Sequence, residues 1–320
     1  MFAASVDLDS LPHYCRIQGL PEALLSERAR ALVGTTAIPR LREVFEAAKV
    51  PVTFFAIGED LAEPETAKAV KAAHRAGVEI ASHSHNHDYA LARRPREVIA
   101  ADLAEAEAAI ARVTGTKPVG FRAPGYTLSP ALLEVVAARG YRYDASAFPA
   151  APYYLAKAGV MAALKLLARP SGSILDRPRV LLAPRAPYRP SLAEPYTRGT
   201  APLWELPVAV TRALRFPFIG TAMSAFPWPV IRRAWADLRD LPLIDFELHA
   251  IDALDASDGL PPQLVRQQRD ARIPARDKLA RLAEVLRWAK AEREALTLAQ
   301  AAGRLSGGAD EGPVPGRAVV

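Results

Sequence analysis

The sequence predicts an α/β fold of the barrel type, in which parallel strands are enclosed by outer helices. Over the first two thirds of the chain, short β-prone runs alternate with amphipathic helical segments. The connections between the strands are too long for hairpins, which favours a parallel sheet. The number of strand–helix units favours a barrel over a doubly wound sheet, and polar residues follow several strands, as at the active-site end of such barrels.

The predicted strands are apolar runs rich in β-branched and aromatic residues. The run "PVTFFAIG" is typical of a strand that is buried on both faces. In chain order, the predicted strands cover residues 3–8, 51–58, 78–83, 118–124, 141–146, 202–210 and 241–248.

The predicted helices carry apolar faces and recognisable end signals. Ser129 is a predicted N-cap followed by Pro130, and Gly140 ends the same helix. Thr297 and Gln300 have the spacing of a capping box at the start of a short last helix. The other predicted helices cover residues 36–49, 63–77, 95–115 and 228–239.

The regular alternation of predicted strands and helices is interrupted between about residues 150 and 200. This segment is rich in Pro, Arg and Tyr, and it is too long for an ordinary loop, which indicates a functional insertion. We therefore predict one domain over residues 1–305 with an irregular insertion. The tail, residues 306–320, has the composition of a disordered segment.

Bulk composition limits the location and the partners of the protein. Cys15 is the only cysteine in the 320 residues, which excludes an intrachain disulfide and fits a reducing compartment. We find no secretory signal and no apolar run long enough to span a bilayer, so we expect a cytoplasmic protein. The net charge of +6 comes without a basic motif interleaved with aromatic residues, so we expect no nucleic-acid partner. The oligomeric state is not indicated.

Two stretches combine apolar and aromatic residues with basic ones. Residues 152–170 form a predicted short helix with three basic side chains, and residues 215–235 place Phe and Trp beside arginines. Both stretches could simply cover the barrel. The alternative is a peripheral contact with the membrane interface beside the active site, at the inner face of the membrane.

The chemistry begins with two aspartates at the end of the first predicted strand. Residues i and i+2 of a strand point to the same face, so Asp7 and Asp9 project together. The segment "HSHNH" places His83 and His87 four residues apart, and one helical turn would bring both imidazoles to one side. Two histidines and one carboxylate leave a water position open, which is typical of a catalytic divalent metal site.

Four motifs in this order resemble the polysaccharide deacetylase family, the carbohydrate esterases with a NodB-homology domain. These motifs are "VDLD", "HSHNH", "FRAPGY" and "DFELH". The resemblance is good over residues 3–150 and loose over residues 200–255. Two departures are present: the aspartates are not adjacent, and Ala250 stands where the family has an aromatic residue.

The resemblance implies a distorted barrel of the NodB type and a role for each matching residue. Asp9, His83 and His87 would hold a divalent metal, Zn²⁺ by expectation. Asp7 would be the general base, and Arg122 would orient it. His249 would be the general acid. The remaining predicted residues, which belong to the oxyanion and substrate-binding set, are Gly125, Tyr126 and Asp144.

The predicted function is therefore a metal-dependent hydrolase that removes an N-acetyl or N-formyl group from an amino sugar. The sugar would belong to a glycan or a lipid-linked glycan. One alternative keeps the metal site but takes a small non-sugar C–N substrate. Another is a glycan-binding protein without activity, against which the complete set of aspartates and histidines argues.

Overall fold

The computed structural model describes residues 1–166 and 174–307. Its centre is a sheet of seven parallel strands in the order β6-β5-β4-β3-β2-β1-β7. The strands are β1 (Phe2–Asp7), β2 (Val52–Ala56), β3 (Glu79–Ser82), β4 (Gly120–Phe121), β5 (Tyr143–Asp144), β6 (Trp204–Glu205) and β7 (Ile244–His249). The predicted α/β class and the parallel sheet are confirmed.

The sheet curls, and an irregular segment closes it into a distorted barrel. Strands β6 and β7 form the two edges of the sheet. Between them, the amide of Val208 donates to the carbonyl of Ala147 on the β5 side at 3.0 Å. The next amide, that of Ala209, donates to Asp245 of β7, also at 3.0 Å. Residues 206–210 therefore bridge the gap without forming a regular strand.

Twelve α-helices lie in the described part of the chain, and most of them cover the outside of the barrel. Their bounds are α1 (Leu11–Gln18), α2 (Glu27–Arg30), α3 (Ile38–Ala48), α4 (Pro64–Arg75), α5 (Arg96–Thr114), α6 (Pro130–Ala138), α7 (Ala151–Leu166), α8 (Gly220–Ala225), α9 (Trp228–Asp237), α10 (Pro262–Gln267), α11 (Ala275–Glu292) and α12 (Leu298–Leu305). None of these helices combines the length and the apolarity needed to cross a bilayer.

The helices that the sequence predicted are present, with ends that differ by a few residues. The Ser129 hydroxyl caps α6 by accepting from the amide of Leu132. The capping box of α12 is formed in both directions between Thr297 and Gln300. Helix α11 was not predicted, although it is one of the longest helices of the fold. The predicted helix over residues 152–170 extends partly beyond the described residues, as does the predicted tail after Gly307.

Alternating residues of the strands separate two apolar layers. Outward-facing residues such as Val6, Phe54 and Phe246 pack with the helices of the outer layer. Inward-facing residues such as Phe55 and Tyr143 fill the lower barrel, together with residues of α12, which lies against that end. The lower interior is thus packed with side chains, as expected for a small barrel. The buried charged groups described below lie in the upper interior.

A buried lysine fixes the chain that follows β7. Lys278 of α11 is about 1% exposed, and its ammonium donates to the carbonyls of Ile251, Leu254 and Asp270 at 2.6–2.9 Å. All three donor positions of the ammonium are thereby used. This contact ties α11 to the loop that begins directly after His249.

We expect Lys278→Met to destabilise the protein by about 3 kcal/mol, because three buried carbonyls would lose their donor. Urea unfolding measures this loss. Lys290→Met at the exposed end of the same helix is the matched control and should change the stability by less than about 0.5 kcal/mol. A loss below about 1 kcal/mol for Lys278→Met would contradict this account of the loop.

Candidate active site

The first strand brings its two aspartates to the open end of the barrel. Asp7 is the last residue of β1 and lies in register with Phe55 of β2 and His249 of β7. Asp9 follows two residues later, and both carboxylates are buried, at 1% and 2% exposure. The predicted placement of both side chains on one face, at the carboxyl end of the strand, is confirmed.

The histidine segment is a loop and not a helical turn, so that part of the prediction is wrong. It begins directly after β3, and its backbone enters the left-handed region at Ser84 (φ 67°) and His87 (φ 51°). The amide of His87 donates to the hydroxyl of Ser84 at 3.1 Å. This tight turn, rather than helical spacing, brings the rings of His83 and His87 to 4.9 Å between centroids.

A carboxylate on helix α5 holds this loop in place. Asp102 is 5% exposed, and it accepts from the backbone amides of His85 at 2.8 Å and Asn86 at 3.1 Å. The side-chain amide of Asn86 adds a third donor at 2.9 Å. The ring of His85 turns away, toward Glu105, with 3.7 Å between the nearest nitrogen and oxygen.

Asp9, His83 and His87 form a convergent donor set. Asp9 Oδ1 lies 3.6 Å from His83 Nε2 and 3.5 Å from His87 Nε2. His83 Nδ1 lies 2.8 Å from the carbonyl of Arg122, which orients the ring so that Nε2 faces Asp9. Asp9 Oδ1 and His87 Nε2 are buried without a hydrogen-bond partner. Orphaned atoms of these types around one point fit a divalent cation.

The protonation of this set also suits a cation. Burial, together with His83 and other neighbouring histidines, holds the pKa of His87 well below its usual value, so its ring is neutral. Burial raises the pKa of Asp9, although His83 and His249 oppose the rise. Metal ligation requires the neutral imidazole and the carboxylate, and the charge of a cation would favour the ionised form of Asp9.

Arg122 is the central charge of the barrel interior and is fully buried. One terminal nitrogen donates to Asp7 Oδ1 at 2.8 Å, and the other donates to Ser5 at 2.9 Å and Asp245 at 2.7 Å. Its Nε donates to the carbonyl of Ala145 at 2.8 Å. The predicted contact between Arg122 and Asp7 is present.

Arg122 makes Asp7 a different kind of carboxylate from Asp9. Burial alone would raise the pKa of Asp7, but the guanidinium of Arg122, helped by His83 and His249, holds this pKa below its usual value. Asp9 has no such partner. The two carboxylates of this short segment therefore differ: Asp7 is firmly ionised, whereas Asp9 has an oxygen without a partner that could bind a cation.

His249 lies at the end of β7, with 24% of its side chain exposed. Its Nδ1 is 2.7 Å from Glu247 Oε1, which leaves Nε2 for the open end of the barrel. Burial alone would lower the pKa of His249, but Glu247, together with Asp9 and Asp7, raises it well above the usual value. The amide of His249 donates to Asp252 at 3.0 Å, which fixes the backbone.

The three remaining predicted residues are distributed over two places. The hydroxyl of Tyr126 lies 3.5 Å from Asp7 Oδ2, so Tyr126 borders the site. Gly125 has a φ of 65°, and a Cβ there would lie 2.5 Å from the ring of Tyr89, so glycine permits the close approach. Asp144 instead accepts from Ser146 at 2.6 Å and lies beside Glu205. It does not support His249, a role that Glu247 fills.

Sequence reasoning missed Ser5, Asp102, Asp245 and Glu247. Part of the signal is in "IDFELH", where acidic residues alternate with apolar ones in a strand that is otherwise buried. This alternation places Asp245, Glu247 and His249 on the same inner face. Ser5 precedes Asp7 with the same spacing. No local pattern points to Asp102, because its partners are backbone amides of a distant loop.

An aromatic wall of four rings borders one side of the site: Tyr89, Tyr126, Phe148 and Tyr153. Tyr89 packs edge-on against His87 with 5.2 Å between ring centroids. Tyr126, Phe148 and Tyr153 contact one another at 4.9–6.4 Å. Tyr153 comes from helix α7, so the insertion that the sequence analysis singled out contributes to this wall.

Comparison with known proteins gives a family match and a curated relative. Residues 31–143 match the model of the polysaccharide deacetylase family. A peptidoglycan deacetylase of Helicobacter pylori is 27% identical over 158 residues, which is 48% of this chain and 53% of that protein. The chain thus spans about half the length of the curated relative that it matches.

Two solved structures share the fold over nearly the whole chain. A Mycobacterium smegmatis protein described as a polysaccharide deacetylase is similar at a TM-score of 0.60 and 18% identity, covering 96% of this chain and 90% of that one. The Puue allantoinase is similar at 0.56 and 16% identity, covering 99% and 91%. The predicted NodB-type barrel is confirmed. The family model matches residues 31–143, which agrees with the resemblance to the polysaccharide deacetylases that the motifs indicated.

Proposed function

We propose that this protein removes the N-acetyl or N-formyl group from an amino sugar of a glycan or lipid-linked glycan, with a divalent metal as cofactor. The observation that carries the proposal is the orphaned, convergent donor set of Asp9, His83 and His87 beside the Arg122–Asp7 pair. The family match and the peptidoglycan deacetylase of H. pylori support an amide of an amino sugar as the substrate class.

Asp9, His83 and His87 would hold the cation, for which Zn²⁺ is the first choice because of the His and carboxylate ligands. When bound, such a cation supplies Lewis acidity, which polarises the acyl carbonyl and makes a water molecule easier to deprotonate. Three protein ligands leave a position open for this chemistry.

Asp7 is the general base. Its Oδ1 is engaged by Arg122, which leaves Oδ2, beside the hydroxyl of Tyr126, to accept a proton from the attacking water. The water oxygen then bonds to the acyl carbon. The low pKa of Asp7 ensures that it is ionised before the reaction, and Arg122 fixes its orientation.

His249 is the general acid, and the amide of Gly125 stabilises the oxyanion. The C–N bond breaks when the tetrahedral species collapses. In this step His249 Nε2 donates a proton to the leaving nitrogen. Glu247 on Nδ1 keeps the imidazole charged for this step. A backbone amide in an oxyanion hole typically stabilises the transition state by ~3 kcal/mol.

Acetate release from a panel of N-acetylated amino-sugar oligomers tests the proposal. We expect acetate from Zn²⁺-loaded protein, none after metal removal, and recovery on reloading. Asp7→Asn should lower kcat at least ~100-fold, because a general base contributes about this much. His83→Ala should abolish both tight metal binding and activity, since it removes one of three ligands.

His74→Ala on helix α4 is the matched histidine control and should leave activity and metal content unchanged. Metal that binds stoichiometrically without acetate from any sugar would contradict an N-acetylated sugar oligomer as the substrate. It would direct the search to a small non-sugar amide or to glycan binding without catalysis.

Asp102→Ala tests whether the shape of the histidine loop sets metal affinity. We expect affinity to fall about 10- to 100-fold, because supporting groups behind metal ligands have effects of this size. Competition with a chromogenic chelator measures the affinity. Glu105→Ala, on the same helix and near the ring of His85, is the control and should have no effect. Equal affinities of Asp102→Ala and wild type would contradict the anchoring role.

We further propose that the protein works at the cytoplasmic face of a membrane. The support is a groove of about 500 Å³ between residues 211–216 and α9, lined by Leu214, Phe216, Val230 and Arg233. Leu214 is 75% exposed. Phe216 also packs against the cluster that contains Tyr126 and Phe148, so the groove continues the aromatic wall. Apolar side chains beside arginines fit the interface of an anionic bilayer.

Co-sedimentation with vesicles tests this location. We expect binding to vesicles with anionic lipid and weak binding to neutral ones. The double variant Leu214→Glu/Val230→Glu should lose binding, because it places two carboxylates at the apolar contact. Val98→Glu on α5 is the control, because Val98 is 45% exposed against 40% for Val230, and it should bind as wild type. No binding of wild type to either vesicle would refute the proposal.

A further inference from the structure

Lys157 stands out at the mouth of the site because none of the ion pairs among the described residues includes it. It lies on α7, one helical turn after Tyr153, so both side chains lie on the same side of the helix. Its ammonium nitrogen is 5.8 Å from the ring centroids of both Tyr89 and Tyr153. The side chain is half-buried. The ammonium is thus held between two rings of the aromatic wall.

No carboxylate in the described part of the chain forms an ion pair with Lys157. The acidic residue that affects the pKa of Lys157 is Asp176. Its two carboxylate oxygens accept hydrogen bonds from the hydroxyl of Tyr196 and the amide of Arg177. Burial lowers the pKa of Lys157 to about 8, and Asp176 opposes this only in part. A half-buried cation without an anion is costly, and contacts with ring faces at almost 6 Å offset little of that cost.

The position of Lys157 connects this cation to the reacting groups. Tyr89 contacts Lys157 on one side and the ring of His87 on the other, at 5.2 Å between centroids. Tyr153 contacts Lys157 and also Tyr126, whose hydroxyl lies beside Asp7. The ammonium is therefore one aromatic ring away from the metal-ligand set and two from the general base. A substrate that lies along the wall would bring a neighbouring group to Lys157.

We propose that Lys157 is a specificity-determining residue that binds an anionic group, a phosphate or a carboxylate, carried by the N-acylated sugar substrate. This inference rests on the proposed function and narrows its substrate class. An arriving oxyanion would be a counterion at hydrogen-bond distance, which the described residues do not provide, and it would favour the charged form of the amine. A lysine serves this purpose as a compact point charge with three donors.

The test compares a phosphorylated, a carboxylated and a neutral sugar. The probes are N-acetylglucosamine 1-phosphate, N-acetylmuramic acid and N-acetylglucosamine. Lys157→Met should raise KM for at least one anionic probe about 10- to 100-fold, as expected for the loss of a charge-assisted hydrogen bond. The kcat of Lys157→Met with the anionic probes, and its kcat and KM with the neutral sugar, should stay within about twofold of the wild-type values. Lys157→Arg should retain most of the affinity, and Lys71→Met, an exposed lysine on α4, is the control.

A binding measurement separates this inference from the proposed activity. Affinities of the same three sugars for metal-loaded wild type and Lys157→Met are measured by calorimetry, which needs no turnover. A preference of wild type for an anionic sugar that Lys157→Met loses supports the inference, even if no acetate is released. Equal binding of anionic and neutral sugars by wild type, or an undiminished preference in Lys157→Met, overturns it.

The pH dependence of binding gives a second readout. The groups that face the ammonium are Tyr89, Tyr153 and Asp176. The pKa values of both tyrosines lie above their usual values, so these tyrosines stay neutral near pH 8. The affinity of wild type for the anionic probe should therefore fall as pH rises through about 8, where Lys157 loses its proton. In Lys157→Arg the affinity for the anionic probe should not fall over this pH range. A fall that persists in Lys157→Arg would also overturn the inference.

Discussion

The upper barrel depends on the hydrogen bonds and ion pairs of the buried guanidinium of Arg122. Removing a guanidinium from water carries a penalty of several kcal/mol, which only well-placed partners can offset. Here Asp7, Asp245 and Ser5 surround its terminal nitrogens, and the carbonyl of Ala145 takes Nε. These partners come from β1, β7 and the chain after β5. Loss of one charged partner in such a buried arrangement typically costs ~3–5 kcal/mol, so the strands and the charges stabilise one another.

The two buried carboxylates of the site have different partners, and the proposed chemistry follows from this difference. Asp7 is neutralised by Arg122, whereas Asp9 faces two imidazoles and has an oxygen without a partner. A single cation would neutralise Asp9 without competing for Asp7. The proposed base and the proposed metal ligand can therefore lie two residues apart in a buried position. On the opposite side, Glu247 lies 2.7 Å from His249 Nδ1 and favours the charged imidazole that the proposed proton donation needs.

Local patterns in the sequence were sufficient for the strands, most helices and the convergence of Asp7, Asp9, His83 and His249. Each of these residues ends or follows a strand, and parallel strands bring such ends together. The backbone of the histidine loop could not be predicted, because residues outside glycine rarely adopt a positive φ. Its shape depends on Asp102, a tertiary partner without a local signal. Asp144 shows a related limit: the sequence placed it at a strand end, but only the packing shows that it turns toward Ser146.

The irregular closure of the barrel has a consequence for how this scaffold can diversify. The strands that hold Arg122 must keep the alternation of inward and outward residues. Residues 206–219 close the same barrel through isolated bridges and a few amide contacts, without a regular ladder. Substitutions and insertions on that side can therefore reshape the rim where glycans would enter, while the reacting groups keep their positions. The fold separates a half held together by buried charges, which under the proposed function would perform the hydrolysis, from an irregular half, which would set the substrate preference.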